Sequence, residues 1–121
     1  MNTPKQIAEA AVRALDDKNA RDLKLLRTTD VTVLADYFVI CTATSTTQIK
    51  TLADAAEAAL EAMGETKLHR EGYRGGSWVL LDFGCVVIHL FMEEARQFYN
   101  LERLWADAEE ISLDSLGRGA E

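Results

Sequence analysis

The sequence is poor in the residues that stabilise small secreted and fibrous proteins. Among its 121 residues there are one proline and two cysteines, Cys41 and Cys85, which lie far apart in apolar segments. This content does not indicate a disulfide framework, so both cysteines are expected to be small buried hydrophobic residues. With 48% hydrophobic and 27% charged residues, the composition is typical of one globular domain. We expect this domain to span residues 1–111, followed by a disordered tail over residues 112–121.

The sequence also has no long hydrophobic run. The longest mostly apolar segment, residues 85–92, is interrupted by His89, and it is far shorter than the roughly 20 residues that span a bilayer. The first residues do not resemble a secretory signal, so we expect a cytoplasmic protein with no membrane contact. Acidic residues outnumber basic ones by 20 to 13, which gives a net charge of −7. This charge disfavours general binding to nucleic acid and favours basic partners.

Three segments have the apolar periodicity of amphipathic helices. The first begins at Thr3 and Gln6, which have the spacing of a capping box, and the second begins with the same spacing at Ser45 and Gln48. The third follows Met92 and contains the apolar residues Phe98, Leu101, Leu104, Trp105 and Ala108.

Short segments rich in β-branched and aromatic residues lie between these helices and predict strands. They cover residues 23–26, 37–42, 78–83 and 85–92, and a polar segment at 67–71 is a candidate fifth strand. Gly84 joins two of them so closely that they should form an antiparallel hairpin. The order of elements predicts an α/β (α+β) fold with a mixed sheet of four to five strands and about three helices.

The predicted strand at residues 78–83 is apolar on both faces. Trp78 and Leu80 alternate along it with Val79 and Leu81. Three helices packed on one face would leave the other face only partly covered, which predicts a surface for a partner. The alternative is that the helices cover both faces and leave no apolar surface exposed.

The histidines and cysteines do not have the spacing of a metal site or a catalytic pair. The sequence contains two histidines and neither a Cys-x-x-Cys nor a His-x-x-x-His pattern, so no metal or cofactor site is expected. Cys85 and His89 share a strand face but would lie roughly 13 Å apart, too far for thiolate activation. We therefore expect His89 to be a structural or interface residue that is hydrogen-bonded by a neighbour, and His69 to be solvated.

A hydroxyl-rich segment at residues 42–47 separates a predicted strand from a predicted helix. Its hydroxyls and free amides could bind a phosphate, and this motivates an alternative function as a nucleotide-binding or nucleotidyltransferase-like enzyme. Nucleotidyl transfer also needs paired carboxylates that hold two cations. Asp82 is followed at the required spacing by Gly84, and Asp36 has no carboxylate two residues away. Helix capping is the simpler interpretation.

Three basic residues, Lys67, Arg70 and Arg74, lie close together in the sequence beside Tyr73. A peripheral contact with RNA phosphates is one interpretation of this group, and it is the less favoured one. The alternative is a solvated loop, because acidic residues are interspersed among them.

Four longer motifs occur in order between Ile7 and Ala108. They are Asp36-Tyr37-Phe38-Val39-Ile40, Trp78-Val79-Leu80-Leu81-Asp82-Phe83-Gly84, Val87-Ile88-His89-Leu90-Phe91 and Phe98-Tyr99-Asn100-Leu101-Glu102-Arg103-Leu104-Trp105. Together they closely resemble the ribosomal silencing factor S family, also called Iojap-like. Two positions depart from the family pattern: Cys85 stands where an acidic residue is expected, and Phe83 where a tyrosine is usual.

The resemblance implies a nucleotidyltransferase-like topology without the catalytic carboxylates, and therefore a protein that is not an enzyme. It implies binding to a protein of the large ribosomal subunit, the universal protein fourteen. Binding there would sterically block joining of the small subunit and repress translation. The resemblance also implies a homodimer when the protein is free of the ribosome.

On this interpretation, Trp78, Leu80 and Asp82 are the expected partner-binding residues. Trp78 would fill a pocket, Leu80 would extend the apolar contact, and Asp82 would meet an arginine or lysine of the basic ribosomal protein. Tyr73 and His89 are further candidates. The alternative for Trp78 is a core position against the last helix.

Overall fold

The computed structural model describes residues 2–29, 35–99 and 108–113. These residues form three helices, α1 (Pro4–Asp17), α2 (Thr46–Ala62) and α3 (Glu93–Tyr99). They also form the strands β1 (Arg21–Arg27), β2 (Tyr37–Ala43), β3 (His69–Tyr73), β4 (Trp78–Asp82), β5 (Val86–Met92) and β6 (Glu109–Ile111). The predicted fold class, a mixed sheet with three helices, is confirmed, but the sheet has six strands instead of four to five.

The strands lie in the order β3-β4-β5-β2-β1-β6. The central pair, β2 and β5, is parallel, and the other neighbouring strands are antiparallel. The predicted hairpin of β4 and β5 is confirmed, with Gly84 in its turn at a φ of 85°. A short 3-10 helix (Arg74–Gly76) connects β3 to β4.

Strand β6 was not predicted from the sequence. Ile111 pairs with Leu25 of β1, and Leu113 packs against the main core. The sequence predicts a third helix that includes Ala108 and a tail from Ser112, and it predicts no strand for Glu109–Ile111, which lie within the expected domain. Three residues are too few to show an alternating pattern, so the strand is defined by its pairing with β1. The predicted helical residues 101, 104 and 105 and the tail beyond residue 113 lie outside the described residues.

The two long helices begin as the capping patterns predict, with one difference. In α1 both hydrogen bonds of the capping box between Thr3 and Gln6 are present. In α2 the Ser45 hydroxyl accepts from the backbone N–H of Gln48 at 3.0 Å. The Gln48 side chain, however, accepts from the N–H of Thr44 at 2.6 Å and not from that of Ser45. The second capping box is therefore only half formed.

The helices are distributed over both faces of the sheet. The larger core cluster contains Leu15 of α1 and Leu52 of α2, packed with the sheet residues Leu81, Ile88 and Leu90. Helix α3 lies on the opposite face, where its Ala95 joins the smaller cluster of Leu26, Ala35, Phe38, Ile40 and Phe91. Of the two arrangements that the sequence leaves open, the structure has the one with helices on both faces. Helices α1 and α2 already occupy one face, so α3, which follows β5 without a loop, packs on the other.

Both cysteines are free thiols. Cys41 is buried in β2 as predicted, and burial raises its thiol pKa to about 12, partly opposed by the charge of Arg96. Cys85 differs from the prediction, because it lies in the β4–β5 turn and is only half-buried. None of the described helices has both the length and the apolar character required to cross a membrane.

Candidate functional site

Strands β4 and β5 bring most of the predicted site residues to one face of the sheet. Their register pairs Trp78 with Phe91, Leu80 with His89 and Asp82 with Val87. Residues that face each other across neighbouring strands project to the same side. We call these six residues the Trp78 face. Tyr73 of β3 pairs with Trp78 at its edge, but the side chain of Tyr73 lies outside the described part of the chain.

Burial alternates along β4 as a two-sided sheet requires. Val79 and Leu81 are buried in the main core, whereas Trp78, Leu80 and Asp82 are half-buried. Every second side chain of β4, from Trp78 to Asp82, therefore projects away from α1 and α2. Trp78 is half-buried and packs against the smaller core cluster, which contains Ala95 of α3.

The indole of Trp78 is held by two neighbours on β5. It stacks on Phe91, with ring centroids 5.2 Å apart and planes 27° from parallel. Its Nε1–H donates a hydrogen bond to Nδ1 of His89 at 3.3 Å. The stacking packs one ring surface, and the hydrogen bond orients the polar edge. Trp78 thus presents a pre-oriented aromatic surface that is only partly covered.

His89 lies beneath this surface and is 6% exposed. The edge of its ring packs against Phe38, with centroids 5.1 Å apart and planes at 72°. Burial lowers the His89 pKa to about 4, so the ring is neutral at physiological pH. Because Nδ1 accepts from Trp78, the proton lies on Nε2, which has no hydrogen-bond partner among the described residues. The expectation of a histidine hydrogen-bonded by a neighbour is confirmed.

Asp82 has a structural contact that the sequence analysis missed. Its Oδ1 accepts a hydrogen bond from the backbone N–H of Gly84 at 2.8 Å and so supports the β4–β5 turn. The Asp-x-Gly spacing at a hairpin is a signal that could have indicated this bond. Asp82 is half-buried at the end of β4, so the carboxylate combines a role in the turn with a place at the rim of the Trp78 face.

The apolar residues of the Trp78 face differ in how firmly they are packed. Val87 and Trp78 pack against the smaller core cluster, whereas the half-buried Leu80 belongs to neither core cluster. Among the described residues, Leu68 is the large hydrophobic residue that is exposed, at 58%, and it lies outside this face. The Trp78 face is therefore a partly covered surface to which Leu80 contributes a half-buried apolar side chain.

The predicted basic spot is largely neutralised by ion pairs. Lys67 and Arg70 both donate to the carboxylate of Glu57 on α2, and Arg70 also pairs with Asp54 at 2.9 Å. Partial burial lowers the pKa of Arg70, but the hydrogen bonds and charges of Asp54 and Glu57 outweigh this and raise it. The side chain of Arg74 lies outside the described residues. Arg70 therefore links β3 to α2, and Lys67 links the segment before β3 to the same helix.

A cavity of about 720 Å³ lies where the parallel strands β2 and β5 end. Its lining includes Thr42, Thr44, Thr46, Ser77, Glu93 and Glu94. The carboxyl ends of parallel strands are a common ligand position in α/β sheets. The described residues contain no group of three or more His, Cys, Asp or Glu side chains that could hold a metal ion. The predicted capping role of Ser45 is confirmed at the same helix start.

Comparisons with known proteins agree with the four sequence motifs. The family model described as "Ribosomal silencing factor during starvation" matches residues 1–121. Ribosomal silencing factor RsfS of Bacillus subtilis is 38% identical over 110 residues, which cover 91% of this chain and 93% of that protein. The mouse protein "Mitochondrial assembly of ribosomal large subunit protein 1" is 33% identical over 97 residues, which cover 78% of this chain and 42% of that protein.

A solved structure gives the same result for the fold. The crystal structure of a Chromobacterium violaceum protein superposes with a TM-score of 0.83 at 32% identity, covering 87% of this chain and 88% of the other. Sequence and three-dimensional similarity therefore extend over the same large part of the domain. On these grounds, the chain belongs to the family of ribosomal silencing factors.

Proposed function

We propose that this chain binds a protein of the large ribosomal subunit through the Trp78 face and thereby blocks joining of the small subunit. The observation that carries the proposal is the row of half-buried side chains Trp78, Leu80 and Asp82 on one face of β4. The names of the relatives support a ribosomal role, and the mouse relative is named for the large subunit. The family resemblance implies the universal protein fourteen as the partner, and the absence of a recognisable secretory signal leads us to propose the cytoplasm as the compartment.

Trp78 has the properties of a strong interface residue. Tryptophan provides a large contact area, and interface hot spots are enriched in it. Because stacking on Phe91 and the hydrogen bond to His89 already restrict the indole, binding would immobilise it at little further entropic cost. The half-buried Leu80 lies two residues along the same face and extends the apolar area.

Charge favours a basic protein partner for this surface. Asp82 lies at the rim, and the chain as a whole carries a net charge of −7. A carboxylate that meets an arginine or lysine at an interface improves orientation and the association rate. The same net charge is repelled by ribosomal RNA. A peripheral RNA contact, proposed for the segment around Arg74, is therefore secondary to the protein contact.

The proposed action is steric and requires no catalysis. A domain bound to a patch of the subunit interface prevents the small subunit from using that patch. Inhibition of subunit joining should therefore follow fractional occupancy of the large subunit, and half of the maximal effect should occur near the dissociation constant. Strong inhibition of subunit joining when only a small fraction of the large subunits is occupied would contradict this mechanism.

Binding to purified large subunits tests the proposal directly. The wild-type protein should cosediment with large subunits and slow subunit joining measured by light scattering. Trp78→Ala should weaken binding by about 2 kcal/mol, or roughly 30-fold, as hot-spot truncations do. Leu80→Ala should also weaken binding, whereas Leu68→Ala, which removes an exposed leucine outside the Trp78 face, should not. Failure of the wild type to cosediment would refute the proposal.

A separate experiment tests the identity of the partner. Purified universal protein fourteen should bind the chain in calorimetry, and Asp82→Asn should weaken that binding while retaining the Oδ1 acceptor for Gly84. Glu61→Gln is the matched control. Glu61 is an exposed residue on α2, and its substitution removes the same charge as Asp82→Asn. Equal effects of the two substitutions would assign the loss to net charge and not to Asp82.

The family resemblance also leads us to propose a homodimer in the free state. Sedimentation equilibrium of the isolated protein should give twice the monomer mass. The Trp78→Ala variant should be measured in parallel, because a shift to monomer would show that the dimer uses the Trp78 face. A monomer at all concentrations in both proteins would exclude the dimer.

The cavity at the ends of β2 and β5 favours one alternative, a nucleotide-binding or nucleotidyltransferase-like enzyme. Its threonine and serine hydroxyls and the start of α2 are suited to contacts with phosphate oxygens. Calorimetric titration with ATP in the presence and absence of Mg²⁺ tests this function. No heat of binding by the folded protein would dispose of the alternative, whereas Mg²⁺-dependent binding without cosedimentation would replace the ribosomal proposal.

A further inference from the structure

We infer that His89 is a positioning residue that holds the indole of Trp78 in its partner-binding orientation. The inference rests on the proposed function, because it concerns how the Trp78 face is kept ready for a partner. His89 itself is buried and has no surface with which to contact a partner. Its effect on binding would therefore be transmitted through Trp78.

The geometry gives the imidazole a directional role. Phe38 contacts the His89 ring from one side, and Phe91 lies parallel to it with centroids 6.1 Å apart and planes 7° from parallel. The fixed ring places Nδ1 within 3.3 Å of Trp78 Nε1. Stacking on Phe91 alone would also accept a flipped indole, since stacking depends weakly on rotation in the ring plane. The hydrogen bond is directional and selects one orientation.

The hydrogen bonding of His89 is unusual among the buried polar side chains. Thr28, Thr42 and Glu57 are also buried, and each has a side-chain hydrogen bond. Among the buried side-chain nitrogen and oxygen atoms in the described part of the chain, the one that lacks a hydrogen-bond partner is His89 Nε2. An unsatisfied buried donor destabilises a fold.

Folding stability alone therefore does not explain a histidine at this position. A leucine would pack against Phe38 and Phe91 without leaving an N–H unpaired, so it would serve the core at least as well. It could not accept a hydrogen bond from the indole. Within the described ranges, the side-chain hydrogen bond of His89 is made to Trp78, and an apolar residue cannot replace this contact.

Two substitutions separate orientation from packing. His89→Leu removes the acceptor, whereas His89→Asn keeps an acceptor oxygen close to the position of Nδ1 but packs less well. We expect His89→Leu to weaken large-subunit binding about tenfold, the effect of losing one hydrogen bond, and His89→Asn to restore most of it. Ile40→Val is the packing control, because Ile40 is buried beside His89 in the neighbouring strand and should bind as the wild type does.

The orientation of the indole can be measured without the ribosome. The ¹H–¹⁵N resonance of the Trp78 indole, assigned with Trp78→Phe, should be single and shifted downfield in the wild type. In folded His89→Leu it should move upfield and broaden, and His89→Asn should return it towards the wild-type position. Thermal unfolding of each variant establishes that it is folded.

The outcomes distinguish this inference from the proposed function. If the wild type fails to bind large subunits, the proposed function fails, while the indole spectra still report whether His89 orients Trp78. Unchanged binding or an unchanged indole resonance in folded His89→Leu would overturn the inference. Equal losses in His89→Leu and His89→Asn would also overturn it, because they would assign the effect to packing.

Discussion

Arg96 of α3 donates a hydrogen bond to the hydroxyl of Thr42 in β2, with 2.9 Å between Nη1 and Oγ1. The same guanidinium nitrogen donates to the backbone carbonyl of Asp22 in β1. Arg96 and Thr42 are both buried. One side chain therefore fastens α3 to two strands, on the face of the sheet that α1 and α2 leave open.

Replacing Thr42 by valine should destabilise the protein. Valine has nearly the same shape but removes an acceptor from a buried guanidinium, which should lower the free energy of unfolding by about 2 kcal/mol. Urea denaturation measures this change. Thr66→Val, at an exposed loop position, should change stability by less than about 0.5 kcal/mol. A stability loss no larger in Thr42→Val than in Thr66→Val would contradict the role of this bond.

The two carboxylates that bind Arg70 should differ in importance. The side chain of Glu57 is 11% exposed, whereas that of Asp54 is 59% exposed. Glu57→Gln should lower the free energy of unfolding by about 2 kcal/mol, because it weakens a buried charged contact with both Arg70 and Lys67. Asp54→Asn should cost less than about 1 kcal/mol, since water and salt screen its ion pair. Equal losses of stability in the two variants would contradict the expectation that the buried carboxylate contributes more than the exposed one.

Stability should decrease when the pH is lowered through the titration range of His89. The ordinary histidine pKa is 6.5, and burial lowers it to about 4 in the folded protein. Between these values the unfolded chain binds a proton that the native protein does not, so protonation favours unfolding. The loss should reach about 3 kcal/mol at pH 4, since each pKa unit corresponds to about 1.4 kcal/mol.

Urea denaturation between pH 8 and pH 4 measures the size of this effect. His89→Asn is the control, because it retains the acceptor for Trp78 and cannot titrate. The free energy of unfolding of this variant should not show the decrease that His89 causes in the wild type between pH 6.5 and pH 4. Parallel pH profiles of the two proteins would show that His89 does not contribute.

Gly84→Ala should destabilise the β4–β5 turn through the backbone. Gly84 has a φ of 85°, and a Cβ atom there would meet Leu68 Cδ1 at an ordinary contact distance of 3.6 Å. The expected cost of about 1 kcal/mol therefore comes from left-handed backbone strain and not from a clash. Gly72→Ala in β3 is the control, because its φ is not positive and its Cβ would meet no atom within 4 Å. A thermal shift in Gly72→Ala as large as that in Gly84→Ala would contradict this explanation.

The elements that the sequence predicted well depend on residues close together in the chain. The capping box of Thr3 and Gln6 lies within one helical turn, and Gly84 lies directly between the strands that it joins. Alternation along residues 78–82 also placed Trp78, Leu80 and Asp82 on one face correctly, because side-chain direction in a strand has a fixed period. Whether that face binds a partner remains a proposal.

The features that the sequence did not predict depend on residues far apart in the chain. Strand β6 is defined by its pairing with β1, and the three residues Glu109–Ile111 have no local pattern that marks them. The placement of α3 depends on which face of the sheet α1 and α2 leave uncovered. The contact of Gln48 with Thr44 depends on the backbone path from β2 into α2, which residue spacing alone does not define.

The amino-acid sequence by itself determined the family, the main helices and strands, and the face of β4 that carries Trp78, because motifs, periodicity and turn residues act locally. Only the tertiary structure decided how deeply each residue of that face is buried. Trp78 is half-exposed and His89 is covered, although both lie in apolar strand sequences. The physical reason is that burial depends on the neighbours supplied by other strands and by α3, and these neighbours are set by packing over the whole domain.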